Sequence, residues 1–419
     1  MNNLSLFVSF IVVVLAAMQF FPALLFARLL LRAKPWILPD DECPKTAVLL
    51  SVRGRDPFLA ECVETLLRQD YPSYDVRIVV DHPDDPAWNV ILEVISRVHA
   101  TNVTMDVLAE RLGTCTLKSN GLLQLVGGLD ESYDAIAILD SDTVTHRTWL
   151  RELVAPLSDP SIGVSSGNRW YMPQRPTIGA LVRYVWNAAA VVQMYYNRFT
   201  WGGSVAIRGS VVRESELQDR WRHAVASDTA IYGVVRAAGL RAAFVPSLMI
   251  INRESCSLGE FYQWMRRQLM VGRLQHGGWR AVFWHGMISS VALASCVLMI
   301  VAGLVAGKVE AIAWSGGALV AYTLTMVFIL VSLEAGVRQT ARLRGQSTNW
   351  LTLQALAGFI VALPMTQVLY TAALPTIRYM RDVTWRGVSY RIDGPWKISL
   401  LKYQPFQVSQ QSPESQVSL

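Results

Sequence analysis

The spacing of apolar positions changes along the chain and divides it into parts. Leu4 to Ala27 is an apolar run without a charge, long enough to cross a hydrocarbon core of about 30 Å. Three similar runs stand near the other end: Ala281–Gly307, Ala311–Leu333 and Leu351–Leu374. Between about Pro44 and Arg280, short β-rich apolar runs alternate with helical periodicity. This pattern predicts strands at Thr46–Val52, Val76–Asp81, Val103–Leu108 and Ala135–Asp140. It predicts helices over 57–68, 88–98, 117–129 and 148–157. The implied fold class is α/β, with a parallel sheet covered on both faces. An aromatic-rich helix is predicted over Ile178–Tyr196, either as core packing or as a floor touching a bilayer.

Composition strengthens the membrane reading. Of 419 residues, 52% are hydrophobic and 17% charged, against about 25% charged in a soluble domain. A disordered or fibrous protein is excluded. The net charge of +6 is too mild to imply nucleic acid as a partner. Basic flanks of membrane spans account for it. Arg28, Arg32 and Lys34 follow the first run, and Arg266, Arg267, Arg273 and Arg280 precede the second. Arg338, Arg342 and Arg344 separate the last two. The positive-inside rule then puts the N-terminus outside and the central domain on the cytoplasmic face. That face belongs to the inner membrane in a bacterium, or to the ER or Golgi in a eukaryote. The first run has no basic n-region and no cleavage site, so it reads as a retained anchor.

Expected boundaries are an anchor over 1–32 and a soluble domain with an interfacial helix over 44–280. Transmembrane helices over 281–374 and a basic tail over 375–419, disordered from Gln404 on, complete the chain. Counting spans sends that tail outside, whereas its charge argues for inside. Either Leu351–Leu374 is a hairpin, kinked or re-entrant around Pro364, or the rule fails here. The five cysteines, Cys43, Cys62, Cys115, Cys256 and Cys296, include no CxxC pair, so reduced thiols are expected rather than disulfides or zinc.

Ligands of open α/β sheets sit at the carboxyl ends of strands, so acids at those ends are the first candidates. Asp140-Ser141-Asp142 follows an apolar strand. Two such carboxylates suit a hard divalent cation that neutralises a diphosphate, or a simple turn. Asp81 ends another strand and can accept from a base or ribose, while Asp84 and Asp85 before Pro86 read as helix caps. Lys118 opens a helix and can reach phosphate oxygens. Asp228 is either a cap or a general base for an acceptor hydroxyl. Gln263 and Arg266, three apart, share a helix face, which also reads as a basic interfacial helix. Trp201-Gly202-Gly203 allows close approach to a ligand or a tight turn. His223 is a candidate acceptor contact. HExxH and GxxxxGK[ST] patterns do not occur, against zinc-protease and P-loop readings.

In order, Asp81, Lys118, Asp140-Ser-Asp142, Asp228 and Gln263-x-x-Arg266 resemble the D, DxD, D, (Q/R)xxRW pattern of family-2 glycosyltransferases of the GT-A fold. Within these, Val52-Arg-Gly-Arg-Asp-Pro57, Gln69-Asp-Tyr-Pro72, Asp84-Asp-Pro-Ala87 and Trp385-Arg-Gly-Val-Ser-Tyr390 look most like the ceramide glucosyltransferase group. The resemblance implies a GT-A domain, Rossmann-like, that transfers one sugar from a UDP-sugar, glucose first, to a lipid hydroxyl with inversion. Ceramide is the lead acceptor, with hopanoid, sterol or diacylglycerol as alternatives. It implies that Asp81 contacts uracil or ribose and that Lys118 lies near the nucleotide. Asp140 would contact ribose or metal, and Asp142 would ligate Mn²⁺ or Mg²⁺. Asp228 would be the base, with Gln263 and Arg266 at the diphosphate or acceptor. Two residues depart from the pattern: Arg267 stands at the usual Trp, and Ser227 at a frequent Glu. A processive polysaccharide synthase and an inactive membrane scaffold are the competing readings.

Overall fold

The computed structural model describes residues 1–275, 277–348 and 351–406. His276 and residues 407–419, most of the terminus expected to be disordered, lie outside them.

Seven strands form the central sheet: β1 (Thr46–Val52), β2 (Tyr74–Val80), β3 (Val103–Val107), β4 (Ala135–Leu139), β5 (Ile162–Tyr171), β6 (Ser204–Arg208) and β7 (Arg241–Asn252). Their order is β3-β2-β1-β4-β6-β5-β7. The first four pair in parallel, as do β5 and β7. Every residue of β4 is buried, as expected of a strand covered on both faces. The expectation of an all-parallel sheet fails at β6, which runs antiparallel to β4 and β5. The reversal pairs Leu139 with Ser204. The Trp201–Gly203 segment before β6 is thereby brought to the carboxyl end of β4.

Local chemistry sets the helices that border this end. Asp85 caps helix Pro86–Val98 by accepting from Ala87 N at 2.9 Å, with Pro86 in the first turn. Asp84 is exposed and pairs only with His82, at 3.6 Å. Thr177 caps helix Ile178–Tyr196. That helix is core packing in its first two-thirds. Arg183, fully buried, lies over the Tyr171 ring at 4.0 Å and donates to the Glu254 carbonyl.

Among the described residues, four helices are long and apolar enough to cross a membrane: Asn2–Arg32, Trp279–Ala306, Val309–Arg342 and Leu353–Ile377. The first packs along the third so closely that a Cβ on Gly336 would meet Leu30 at 2.7 Å, a small-residue contact of the kind that brings membrane helices together. Glu334, 3% exposed, ties the third helix to the sheet domain by accepting from Trp170 Nε1 at 2.8 Å and Tyr184 at 3.1 Å. Leu353–Ile377 is one continuous helix through Pro364 and Pro375, not a hairpin. Both of its flanks are tied to the catalytic half: Arg253 donates to the Ser347 carbonyl at 2.9 Å, and Arg273 to the Arg378 carbonyl at 3.2 Å.

The basic tail is ordered into an antiparallel sheet of β8 (Asp382–Trp385), β9 (Val388–Gly394) and β10 (Lys397–Lys402). It docks on the central domain through Leu400 N to Gly113 O at 2.8 Å and Tyr390 Oη accepting from Leu117 N at 3.0 Å. The disorder expected from Gln404 on is corrected at its start. The Gln404 carbonyl accepts from Arg53, and the Phe406 ring lies where a Cβ on Gly54 would stand, 2.6 Å away.

Candidate active site

Three adjacent parallel strands, β2, β1 and β4, end side by side. The residues that follow them are Asp81, Arg53 and Asp140-Ser141-Asp142. Two hydrogen-bonded networks grow from this edge.

The first joins Asp140 to Asp228. Lys118 Nζ pairs with Asp140 and donates to the Gly202 carbonyl at 3.3 Å. Gly202 N donates to Asp228 Oδ2 at 3.0 Å, and Thr229 N to Oδ1 at 2.9 Å. A Cβ on Gly202 would stand 3.1 Å from both Lys118 Nζ and Asp228 Cβ. The glycine therefore serves close approach here, not only a turn. Asp228 lies inside helix Ser227–Ala237 rather than capping it. Burial pushes its carboxyl up, against the pull of Lys118 and the Gly202 N–H. Burial pulls the Lys118 ammonium down, but Asp140 and Asp228 outweigh it and its pKa is raised.

The second network holds Asp81 and Asp56. Arg53 pairs with Asp81, and Tyr403 donates to the same oxygen at 3.1 Å, while Arg111 Nε stands 3.5 Å from the other. The Asp81 side chain is 2% exposed. Cations and the tail's Tyr403 enclose it at the edge of the crevice. Arg386, from the turn between β8 and β9, pairs with Asp56, which accepts from Ser141 Oγ at 2.7 Å.

Asp142, Arg169 and Arg267 line the same cavity as these networks. Burial first, then Asp140, Glu254 and Asp56, push the Asp142 carboxyl up to about 7, against the pull of Arg169. Burial, Arg169 and Arg386 push Arg267 down to about 10. Arg169 lies over the Trp264 ring at 5.0 Å, and Arg267 over Trp385 at 5.9 Å. Such a cluster of desolvated cations suits a polyanion.

Among the described residues, no three His, Cys, Asp or Glu side chains form a ready-made metal cage. The residues nevertheless fit a divalent cation. The carboxylates crowding Asp142 raise its pKa, and a cation relieves that repulsion. Asp140 and Asp142 offer hard oxygen ligands, and Mg²⁺-type sites commonly complete their shell with phosphate and water.

Asp81, Lys118, Asp140, Asp142, Trp201 and Asp228 all line one cavity, and Gly202 bonds Lys118 and Asp228 beside it. Gln263, Arg266 and His223 do not line it. Gln263 and His223 are exposed, and Arg266 packs on Tyr262 at 5.7 Å. One position on, Arg267 takes the place expected of Arg266 and lines the cavity. Sequence reasoning missed Arg53, Asp56, Arg169, Trp385 and Arg386 as site residues. The Arg-rich Val52–Pro57 and Trp385–Tyr390 segments carried a signal for four of these; Arg169, within β5, carried none.

Solved structures of similar proteins include a mannosyltransferase, PcManGT, from Pyrobaculum calidifontis in complex with GDP-Man and Mn²⁺. It is 19% identical, with a TM-score of 0.46, over 88% of this chain and 96% of that one. Another is glucosyl-3-phosphoglycerate synthase from Mycobacterium tuberculosis in complex with Mn²⁺, UDP and glucosyl-3-phosphoglycerate. It is 11% identical, with a TM-score of 0.38, over 56% of this chain and 85% of that one. The model of the family described as Glycosyl transferase family 21 matches residues 8–397. That match spans nearly the whole sequence, and the chain belongs to glycosyl transferase family 21, a glycosyltransferase by membership.

Proposed function

We propose that the enzyme moves a single sugar, glucose first, from a UDP-sugar to the hydroxyl of a ceramide-like membrane lipid, with its catalytic domain on the cytoplasmic face. One observation carries this reading. The carboxylate crevice and the groove between the apolar helices are a single cavity of about 1420 Å³. This exceeds the roughly 300–1,000 Å³ of a small-molecule pocket. One end holds Asp142 and Asp228; the other is lined by Met18, Leu293, Val297, Leu319 and Met326. A lipid chain in the apolar end presents its headgroup hydroxyl to Asp228.

The hydroxyl oxygen bonds to the anomeric carbon as the bond from that carbon to the β-phosphate oxygen breaks. The electron pair leaves on UDP, and the hydroxyl proton passes to Asp228. Attack opposite the leaving group inverts the anomeric centre. Burial makes Asp228 more basic than a solvated carboxylate, and the nearby Lys118 charge favours its ionised form. Arg169 and Arg267 hold the departing diphosphate, so the charge that develops there is met by preorganised donors. Asp140 and Asp142 would hold Mn²⁺ or Mg²⁺, which supplies Lewis-acid neutralisation of that diphosphate. Asp81 stands at the nucleobase end, where Tyr403 must yield its hydrogen bond for a base to reach the carboxylate.

The test is purified protein in lipid nanodiscs with UDP-glucose, Mn²⁺ and ceramide. The expected product is a monohexosyl lipid with the β configuration from the α-linked donor. A ladder of products would contradict this reading and favour a polysaccharide synthase. Absence of turnover over a panel of ceramide, sterol, hopanoid and diacylglycerol would contradict it as well.

A further inference from the structure

The turn Trp385-Arg386-Gly387 joins β8 and β9, more than a hundred residues beyond the helix that carries Arg267. It is a tight, costly turn: Arg386 has φ 45° and Gly387 φ 77°. A non-glycine residue in this left-handed region is uncommon and is often kept where a site needs it. Both Trp385 and Arg386 line the same cavity as Asp140 and Asp142. The Trp385 ring meets two guanidiniums, Arg267 at 5.9 Å and Arg386 at 5.2 Å from its centroid. Its Nε1–H is buried and has no hydrogen-bond partner among the described residues. Leaving a buried donor without a partner is destabilising, so an acceptor from a ligand is the natural complement.

We propose that Trp385 is a donor-binding residue supplied by the C-terminal sheet. Its indole N–H donates to a diphosphate oxygen while its ring holds Arg267 and Arg386 facing that group. The resemblance described above expects a Trp next to the Arg of the interfacial helix. Here Arg267 fills that position, and an indole reaches the crevice from the tail instead. Arg386 fixes the turn by pairing with Asp56, whose other oxygen accepts from Ser141 between the two cavity aspartates. The tail is thus a wall of the donor pocket. This inference rests on the donor reading given under Proposed function.

The test compares UDP with UMP, because the two share base and ribose but differ in the diphosphate. Trp385→Phe keeps the ring and removes the N–H. Calorimetry on the full-length protein in detergent is expected to show UDP affinity falling about 10-fold, the scale of one hydrogen bond to a charged group. UMP affinity is expected to change less than about 3-fold, because Trp385 serves the diphosphate and not the base. Equal losses for UDP and UMP would mean a merely structural role and overturn the proposal, as would unchanged UDP binding. A second measurement needs no variant. In the wild-type protein, hydrogen exchange over residues 382–394 is expected to slow with UDP and not with UMP. Equal protection by both nucleotides would contradict the proposal. Wild-type protein without any UDP affinity would instead sink the donor reading on which it rests.

Discussion

Arg53 and Arg386 each donate to the main-chain carbonyl of the other. Arg53 Nε and Nη2 reach Arg386 O at 3.0 and 2.8 Å, and Arg386 Nη1 reaches Arg53 O. The exchange clamps the loop after β1 to the turn between β8 and β9, across 333 residues of sequence. Neither guanidinium satisfies only itself, since Arg53 also holds Asp81 and Arg386 holds Asp56. The C-terminal sheet is therefore a built part of the catalytic half.

Breaking the clamp from the tail side is expected to be costly. Arg386→Met leaves Asp56, 2% exposed at its side chain, without its cation. Removing one partner of a buried pair typically costs about 3–5 kcal/mol. A large drop in thermal midpoint in detergent is the expected outcome. An unchanged midpoint would mean that the pair contributes nothing net.

Arg267, not Arg266, lines the cavity that holds Asp140, Asp142 and Asp228. Arg267→Lys is expected to lower turnover by about 100-fold, a typical effect of removing one transition-state donor. Arg266→Lys, a substitution against Tyr262 outside the cavity, is expected to change turnover less than about 3-fold. Steady-state rates of the two variants under the same donor and lipid concentrations decide between them.

Asp228→Asn is expected to lower kcat by about 100-fold or more, the lower range of general-base contributions. Asn keeps one oxygen for the backbone N–H groups that now bond Asp228, and UDP affinity is expected to hold within about 3-fold. Calorimetry with UDP alongside the rate assay separates the two quantities. A large loss of UDP affinity would remove Asp228 from the base role.

Cation binding should depend on pH with a definite sign. The Asp142 carboxyl is raised to about 7, so below that pH it is held mostly neutral. A divalent cation needs the ionised form. Mn²⁺ affinity is therefore expected to climb from pH 6 to pH 8 and then flatten. Binding near pH 6 should release up to about one proton per ion, read by calorimetry in two buffers of different ionisation enthalpy. Affinity independent of pH across that window would exclude Asp142 as a ligand.

The tail and the catalytic domain share one side in this structure, and helix Leu353–Ile377 has both flanks tied to that half. If that helix lies along the membrane face, three crossings remain and the basic tail stays with the catalytic domain. Single cysteines introduced at Lys397 and at Arg97 are expected to react with an impermeant maleimide from the same side of sealed vesicles. Opposite-side labelling would show that the fourth helix crosses.

The positions of β1 to β4 were legible because each is a short apolar run ended by an acid or a turn, whereas β5, β7 and the tail strands were not expected. β1 and β4 fall within a residue of expectation, and helix Ile178–Tyr196 matches at both ends. The acids at strand ends were legible for the same reason, since the carboxyl edge of a parallel sheet is where polar groups meet ligands. The reversal at β6 was not, because strand direction depends on pairing partners rather than on local pattern. The one-residue offset from Arg266 to Arg267 was not legible either. Two adjacent arginines on a helix differ by about 100° of facing, and only packing decides which points inward. The docking of the basic tail was not legible, because its partners Arg53, Asp56 and Asp81 lie more than three hundred residues away in sequence.

The carboxylate crevice and the apolar groove are one cavity, and a block placed in the groove probes whether the lipid enters through it. Thr323 lines the apolar end of the cavity, away from every charged group of the crevice. The measurement is the KM for ceramide and the Kd for UDP of Thr323→Trp, side by side with wild type. The account predicts a lipid KM raised about 10-fold or more by lost chain burial, with UDP affinity unchanged. A wild-type lipid KM at wild-type kcat, with the groove filled, would contradict it.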